Sequence, residues 1–152
     1  GPRFATMPLG DDICPVVGTP IGRVGLMIAA EGFVPEVARS LMLRGAELIL
    51  WSADDPGSPL MPVIARCRAE ENRVFVACAA APTPNGATMI VDPNGRPLAQ
   101  AMVGRELCVA ADVNRALAHM KQRAPGTDIV RNRQPATYGA ITRVTTPERS
   151  PA

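Results

Sequence analysis

The chain has 152 residues, of which 47% are hydrophobic and only 3% aromatic. This composition excludes a disordered or fibrous chain and predicts a globular protein with an aliphatic core. Its 16 basic and 14 acidic residues leave a net charge of +2, which is too balanced to indicate a nucleic-acid or membrane partner. We find neither a long apolar run nor a secretory signal pattern, so we expect a cytoplasmic protein.

The first part of the chain alternates apolar runs with turns. Residues 1–12 are rich in Gly, Pro and Asp and are predicted to form a leading loop. Two apolar runs, Cys14–Val17 and Arg23–Ala30, flank the turn Gly18–Gly22 and predict a hairpin. The second run is nearly continuous, which is typical of a strand buried on both faces. A helix is then predicted to begin at Pro35 and to end near Gly45.

The rest of the chain continues this alternation of strands and helices. Because predicted helices separate the first buried strands and hairpins follow them, the pattern indicates an α/β fold with a mixed sheet. We predict one domain over residues 13–142 and a flexible tail over residues 143–152. The further elements predicted are strands at Glu47–Trp51, Val74–Ala80, Thr88–Val91, Pro97–Ala101 and Leu107–Ala111, and helices at Leu60–Asn72 and Asn114–Gln122.

The cysteines and the single histidine show no spacing typical of a metal site. Cys14, Cys67, Cys78 and Cys108 form no CxxC pair and no cluster with histidine, so we predict no metal site. The last three lie in apolar or alternating runs and are predicted to be buried, reduced thiols. His119 lies on a predicted surface helix without a visible acid or nucleophile beside it, and is predicted to be solvated.

The strongest candidate for a site is the turn between the strand Arg23–Ala30 and the helix that begins at Pro35. Such a turn projects a side chain at the carboxyl end of a strand, where α/β proteins place their sites. The N-terminus of the following helix offers free N–H groups to a developing oxyanion. The geometry suits a nucleophile near Ala29, and alanine supplies none.

The same turn carries a family signature. Residues Thr19–Glu31, with Phe33 and Pro35-Glu36, resemble the nitrilase-superfamily pattern TPxGxxGxxIC followed by an aromatic residue, an acid and FPE. Further matches follow in order and extend the resemblance over residues 15–142. They are Arg68-Ala69 with Glu71-Asn72 for RAxEN, Gly86 with Met89–Gly95 for GxSxIVDPxG, and Asn132–Pro135 with Tyr138-Gly139 for (D/N)RRPxxY.

The resemblance implies the C-terminal half of an α-β-β-α sandwich that hydrolyses amides or nitriles through a cysteine thioester without a cofactor. It also implies homodimers or larger assemblies. The nucleophile position is Ala29, the aromatic position is Ala30, and the acid position is Glu31. The general-base Glu, the oxyanion-binding Lys and a second Glu of the family fall before Gly1. We therefore expect a piece of a longer protein.

Several residues near Ala29 are candidates for a substrate pocket. Phe33 follows in the signature, and Ser52 and Asp54 follow the strand Glu47–Trp51. These two polar residues are predicted either to line the pocket or to cap a loop. Glu31 is predicted either to face the pocket or to accept hydrogen bonds from backbone N–H groups of the turn.

The sequence supports three functional hypotheses. The chain is part of a carbon–nitrogen hydrolase, inactive as it stands, or a pseudoenzyme that binds a small molecule or supports assembly, or an enzyme with another nucleophile. The expected ligand is a small amide, nitrile or carboxylate. The expected macromolecular partner is a second copy or the missing N-terminal half. Because half a sandwich leaves one sheet face uncovered, self-association is also expected.

Overall fold

The computed structural model describes residues 15–53, 58–86 and 88–143. The predicted leading loop, Cys14, Asp54 and all but the first residue of the predicted tail lie outside these ranges. The chain divides into two units, the first ending at Lys121 and the second beginning at Gln122. The first unit contains the sheet and the candidate site.

The first unit is built on a six-stranded sheet in the order β1-β2-β3-β4-β5-β6. The central strands β2, β3 and β4 are parallel, and each outer pair is antiparallel. This arrangement confirms the predicted α/β class and the mixed sheet. The strands are β1 Val17–Thr19, β2 Gly22–Ile28, β3 Leu48–Ala53, β4 Phe75–Ala80, β5 Met89–Val91 and β6 Pro97–Gln100.

Two helices connect the parallel strands. Helix α1 spans Pro35–Leu43 and follows β2, and helix α2 spans Met61–Asn72 and follows β3. Both have a proline in the first turn, where its missing N–H leaves no bond unmade. Leu41 of α1 packs against Gly25, where a Cβ atom would lie only 3.1 Å from the leucine side chain. The absence of a side chain at Gly25 therefore lets α1 lie close to the sheet.

The helices cover one face of the sheet and leave much of the other open. Met27, Ile49, Trp51 and Val76 point to the helical side and are fully buried. The prediction that the second strand is buried on both faces is wrong, because alternate residues of β2 are exposed on the other side. Its exposed apolar members, Leu26 and Ile28, lie on the side of the sheet that the helices do not cover.

Two predicted elements after β6 differ from the structure. Leu107–Ala111 is not a strand and pairs with none of the six strands of the sheet. Leu107 is 50% exposed. The helix predicted at Asn114–Gln122 shortens to α3, Ala116–His119.

The three cysteines within the described ranges are free thiols, but only Cys78 is buried. Burial in apolar surroundings raises the pKa of the Cys78 thiol to about 12, which makes it inert. The prediction of burial is wrong for Cys67, which lies on the outer side of α2, and for Cys108, which lies in the exposed segment after β6. Cys67 and Cys108 have apolar neighbours in the sequence, but their side chains do not lie in the core.

The second unit is described from Gln122 to Arg143 and is mostly irregular. It contains a short 3₁₀ turn at Pro135–Thr137 and helix α4 at Gly139–Thr142. The Tyr138 hydroxyl accepts a 3.0 Å hydrogen bond from the Gln134 N–H. Local bonds of this kind hold the turn that carries the last motif of the resemblance. None of the described helices is long and apolar enough to cross a membrane.

Candidate active-site elbow

The predicted turn after β2 is a tight and strained elbow. Strand β2 ends at Ile28, residues Ala29–Phe33 form a 3₁₀ turn, and α1 begins at Pro35. Ala29 has a φ of +47°, in the left-handed region that residues with a Cβ atom avoid. This conformation costs about 1 kcal/mol and persists only where the surroundings impose it. The strain therefore points to contacts that hold the elbow.

Trp51 at the end of β3 supplies one set of these contacts. Its indole Nε1–H donates a 3.0 Å hydrogen bond to the carbonyl oxygen of Ala29. Gly32 lies directly against the same ring, and a Cβ atom there would overlap it. Phe33 packs edge-on against the indole at a centroid distance of 5.9 Å. One buried side chain thus holds both ends of the turn.

Arg68 of α2 supplies the second set of contacts. Its Nε–H donates to the carbonyl oxygen of Gly32 at 2.9 Å, and Nη2 donates to that of Phe33 at 3.2 Å. The carboxylate of Glu71 accepts a third bond from Nη1 at 2.8 Å. Arg68 is 7% exposed, so the guanidinium is removed from water and satisfied by these acceptors. Arg68 and Trp51 together impose the path of the elbow.

Two roles were predicted for Glu31, to face the pocket or to accept hydrogen bonds from backbone N–H groups of the turn, and the structure shows the second. Its Oε2 accepts a 2.7 Å hydrogen bond from the backbone N–H of Ile28, which closes the turn on itself. The side chain is exposed. The carboxylate therefore places negative charge at the elbow and engages one of the N–H groups nearest to Ala29.

The other predicted pocket residues lie around the elbow at the carboxyl end of the parallel strands. Ala30 is exposed, Ala29 and Phe33 are half-buried, and Ser52 is exposed on β3 in register with Ile28. Ala29, Ala30, Glu31 and Phe33 thus share one turn, with Ser52 beside it on the neighbouring strand. Asp54 lies outside the described residues.

His119 is solvated, as predicted, and lies away from the elbow. The ring is 68% exposed, but Nε2 lies 2.8 Å from Oε1 of Glu47, so the histidine has an acidic partner. Oε2 of Glu47 accepts bonds from the Arg23 N–H at 2.8 Å and from Arg115 at 3.0 Å. Glu47 precedes β3, whereas the elbow follows β2. The two groups are thus separated by about 17 Å along parallel strands.

Trp51 and Arg68 were not predicted from the sequence as supports of the elbow. A signal existed for Arg68, because Met61, Ala65, Arg68 and Asn72 recur at helical spacing and form the buried stripe of α2. A charged residue in such a stripe indicates a buried partner. Trp51 is the single tryptophan of the chain and lies in β3, paired with Met27 of the strand that leads into the elbow.

One class of α/β proteins presents a reactive side chain at a sharp turn between a strand of a parallel sheet and the helix that follows it, and this chain has such a turn. The carbon–nitrogen hydrolase family profile matches residues 2–120. The chain therefore belongs to the carbon–nitrogen hydrolase family.

Individual relatives agree with this assignment. Deaminated glutathione amidase from Mus musculus is 31% identical over 142 residues, which cover 87% of this chain and 43% of the mouse protein. The crystal structure of the Caenorhabditis elegans NitFhit protein matches with a TM-score of 0.72 and 30% identity, over 86% of this chain and 34% of that one. The chain thus spans less than half the length of these relatives.

A third relative is an amidase mutant from Nesterenkonia sp. in which a cysteine is replaced by alanine, solved in complex with butyramide. It matches with a TM-score of 0.60 and 27% identity, over 66% of this chain and 42% of that one. An alanine variant of a relative therefore retains an amide ligand.

Proposed function

We propose that this chain is a non-hydrolysing member of its family that binds a small amide, nitrile or carboxylate at the elbow Ala29–Phe33. The observation that carries the proposal is the left-handed Ala29. The fold maintains a strained turn suited to a nucleophile while the side chain there is a methyl group, which cannot form a thioester. Removing such a nucleophile lowers turnover by as much as about a million-fold in well-studied hydrolases.

The surroundings of the elbow support binding rather than chemistry. Ala29 and Phe33 are half-buried and offer apolar contact, and the hydroxyl of Ser52 is exposed beside them as a candidate hydrogen-bond partner for an amide or a carboxylate. The amidase mutant captured with butyramide is consistent with an elbow that binds its ligand without a thiol. The free thiols are consistent with a cytoplasmic location, which we also propose.

The binding proposal is tested by titrating the chain with butyramide, butyronitrile and butyrate while recording amide chemical shifts. We expect shifts at residues 28–33 and 52 for at least one of the ligands, with a dissociation constant on the order of 1 mM for so small a molecule. No ammonia should be released from butyramide or butyronitrile. The absence of shifts at the elbow, or turnover proportional to protein, would overturn the proposal.

Restoring the thiol alone is expected to fail. The Glu31 carboxylate is bonded to the Ile28 N–H and places negative charge beside position 29, and a nearby anion disfavours a thiolate. In Ala29→Cys, the new thiol should react with iodoacetamide no faster than the exposed Cys67 and Cys108 of the same molecule. Peptide mass mapping over time compares all three rates. A thioester adduct with butyramide would contradict the expectation.

A further inference from the structure

Asn72 is a fully buried polar residue that lies one helical turn after Arg68. Both side chains belong to the buried stripe of α2, and Asn72 is 0% exposed. Its Nδ2 donates a 3.0 Å hydrogen bond to the carbonyl oxygen of Arg68 and a longer bond, of 3.4 Å, to Oε1 of Glu71. The same Oε1 accepts the 2.8 Å bond from Nη1 of Arg68. The amide of Asn72 is therefore bonded to both members of the ion pair beside the elbow.

The oxygen of the same amide has no partner. Oδ1 of Asn72 is buried, and no donor in the described part of the chain makes a hydrogen bond to it. The opposite orientation of the amide would place Oδ1 against two other acceptors, the Arg68 carbonyl and the Glu71 carboxylate. An unpaired buried acceptor lowers the stability of a fold. Because an apolar side chain would avoid this cost, stability alone does not account for an asparagine at this position.

We propose that Asn72 is a positioning residue for the elbow and acts through Glu71 and Arg68. The Glu71 side chain is 35% exposed, so its carboxylate can also turn towards water. The second bond, from Asn72, restrains the carboxylate where it holds Nη1 of Arg68. The rest of the guanidinium then stays aligned with the carbonyl oxygens of Gly32 and Phe33. A fixed elbow is what the unpaired oxygen of Asn72 is retained for.

The consequence for function is a ligand affinity that depends on Asn72. This consequence rests on the proposed binding of a small amide, nitrile or carboxylate at the elbow. A ligand binds only the fraction of molecules whose elbow has the binding conformation, so a variant with about one fifth of its molecules in that conformation binds about five-fold more weakly. We expect a loss of this size for butyramide when the amide of Asn72 is removed. The order of the elbow is measured without ligand, which separates the role of Asn72 from the proposed function.

The test is backbone amide hydrogen exchange in the free 152-residue chain, followed by NMR in the parent and in Asn72→Leu. Leucine keeps the branched shape of asparagine and removes both the donor and the unpaired oxygen. Two amides report on the elbow, because the Ile28 N–H is bonded to Oε2 of Glu31 and the Val34 N–H to the carbonyl oxygen of Glu31. We expect both to exchange at least about ten-fold faster in Asn72→Leu, while the amides of β3 keep their protection.

The matched control is Lys121→Met. Nζ of Lys121 donates to the carbonyl oxygens of Asn72 and Arg73 at 3.1 and 2.8 Å. The control therefore removes contacts from the same end of α2 and leaves the Asn72 amide in place. Exchange at the elbow should stay within about two-fold of the parent in this variant.

Circular dichroism verifies that each variant is folded, and Asn72→Ala takes the place of Asn72→Leu if the latter does not fold. Unchanged exchange at Ile28 and Val34 would overturn the proposal. An equal loss of protection in β3, or equal acceleration in Lys121→Met, would overturn it as well, because Asn72 would then only hold the end of the helix. So would an unchanged affinity for butyramide when the parent binds it. If the parent binds no butyramide, the proposed function fails, and the exchange rates still decide the role of Asn72.

Discussion

Arg68→Met is expected to lower the free energy of unfolding by about 3 kcal/mol, because a buried arginine makes hydrogen bonds to charged or carbonyl acceptors that methionine cannot replace. The carbonyl oxygens of Gly32 and Phe33 would lose their donor, and Glu71 would lose its partner. The left-handed Ala29 would then lack one of its two supports. Urea denaturation followed by the fluorescence of Trp51 measures both the stability and the environment of the elbow.

Arg66→Met is the matched control for this prediction. Arg66 lies on the same helix two residues earlier, is exposed, and donates one 2.8 Å bond to the carbonyl oxygen of Gly95. A single hydrogen bond from an exposed side chain contributes about 1 kcal/mol or less. Equal losses in the two variants would show that Arg68 acts as an ordinary helix residue and does not hold the elbow.

The strands and helices that surround the elbow were readable from the sequence because they depend on local order. Apolar runs bounded by glycine and proline predicted β2, β3 and β4, and Pro35 correctly predicted the start of α1. A strand needs a neighbour as well as a suitable sequence. The apolar alternation at Leu107–Ala111 was misleading for that reason, since this segment pairs with none of the six strands.

The contacts that hold the elbow could not be predicted from the sequence in the same way. Trp51 reaches Ala29 across 22 residues of sequence, and Arg68 reaches Gly32 across 36. The first pair follows from the pairing of β3 with β2 and the second from the position of α2, and neither follows from local spacing. The resemblance supplied Arg68 as part of a motif without a role, and the structure relates it to the turn that the motif's family uses for chemistry.

The contacts of Trp51 and Arg68 hold the elbow with alanine at position 29. Gly32 cannot accept a side chain while Trp51 occupies its present position, and Arg68 cannot be removed without leaving buried carbonyl groups unpaired. The same groups that would position a nucleophile therefore also contribute to stability. The side chain of Ala29 makes no comparable contact. We therefore expect that residue 29 is the position of the elbow that can be substituted without unfolding the protein.

Glu47→Gln is expected to make the free energy of unfolding less dependent on pH. The N–H of Arg23 and then the charges of Arg115 and His119 hold the pKa of Glu47 below its ordinary value of 4.5, and these effects outweigh the opposing effect of burial. Because the folded pKa is lowered, the ionised carboxylate stabilises the fold above about pH 4.5 and ceases to do so as the pH falls through the folded pKa. The backbone N–H is the main cause, since Arg115 and His119 are 50% and 68% exposed and are screened by water.

Unfolding by urea at pH 7 should show Glu47→Gln to be less stable than the parent chain by about 2 kcal/mol, since one amide group cannot accept all the bonds that Glu47 accepts. This difference should shrink steadily as the pH is lowered from 5 towards 3, because the parent loses its carboxylate while the variant has none to lose. Glu36→Gln, on the exposed first turn of α1, controls for the loss of one surface charge and should track the parent within about 0.5 kcal/mol. A difference between Glu47→Gln and the parent that stays constant from pH 7 to pH 3 would show that Glu47 acts through its shape and not through its charge.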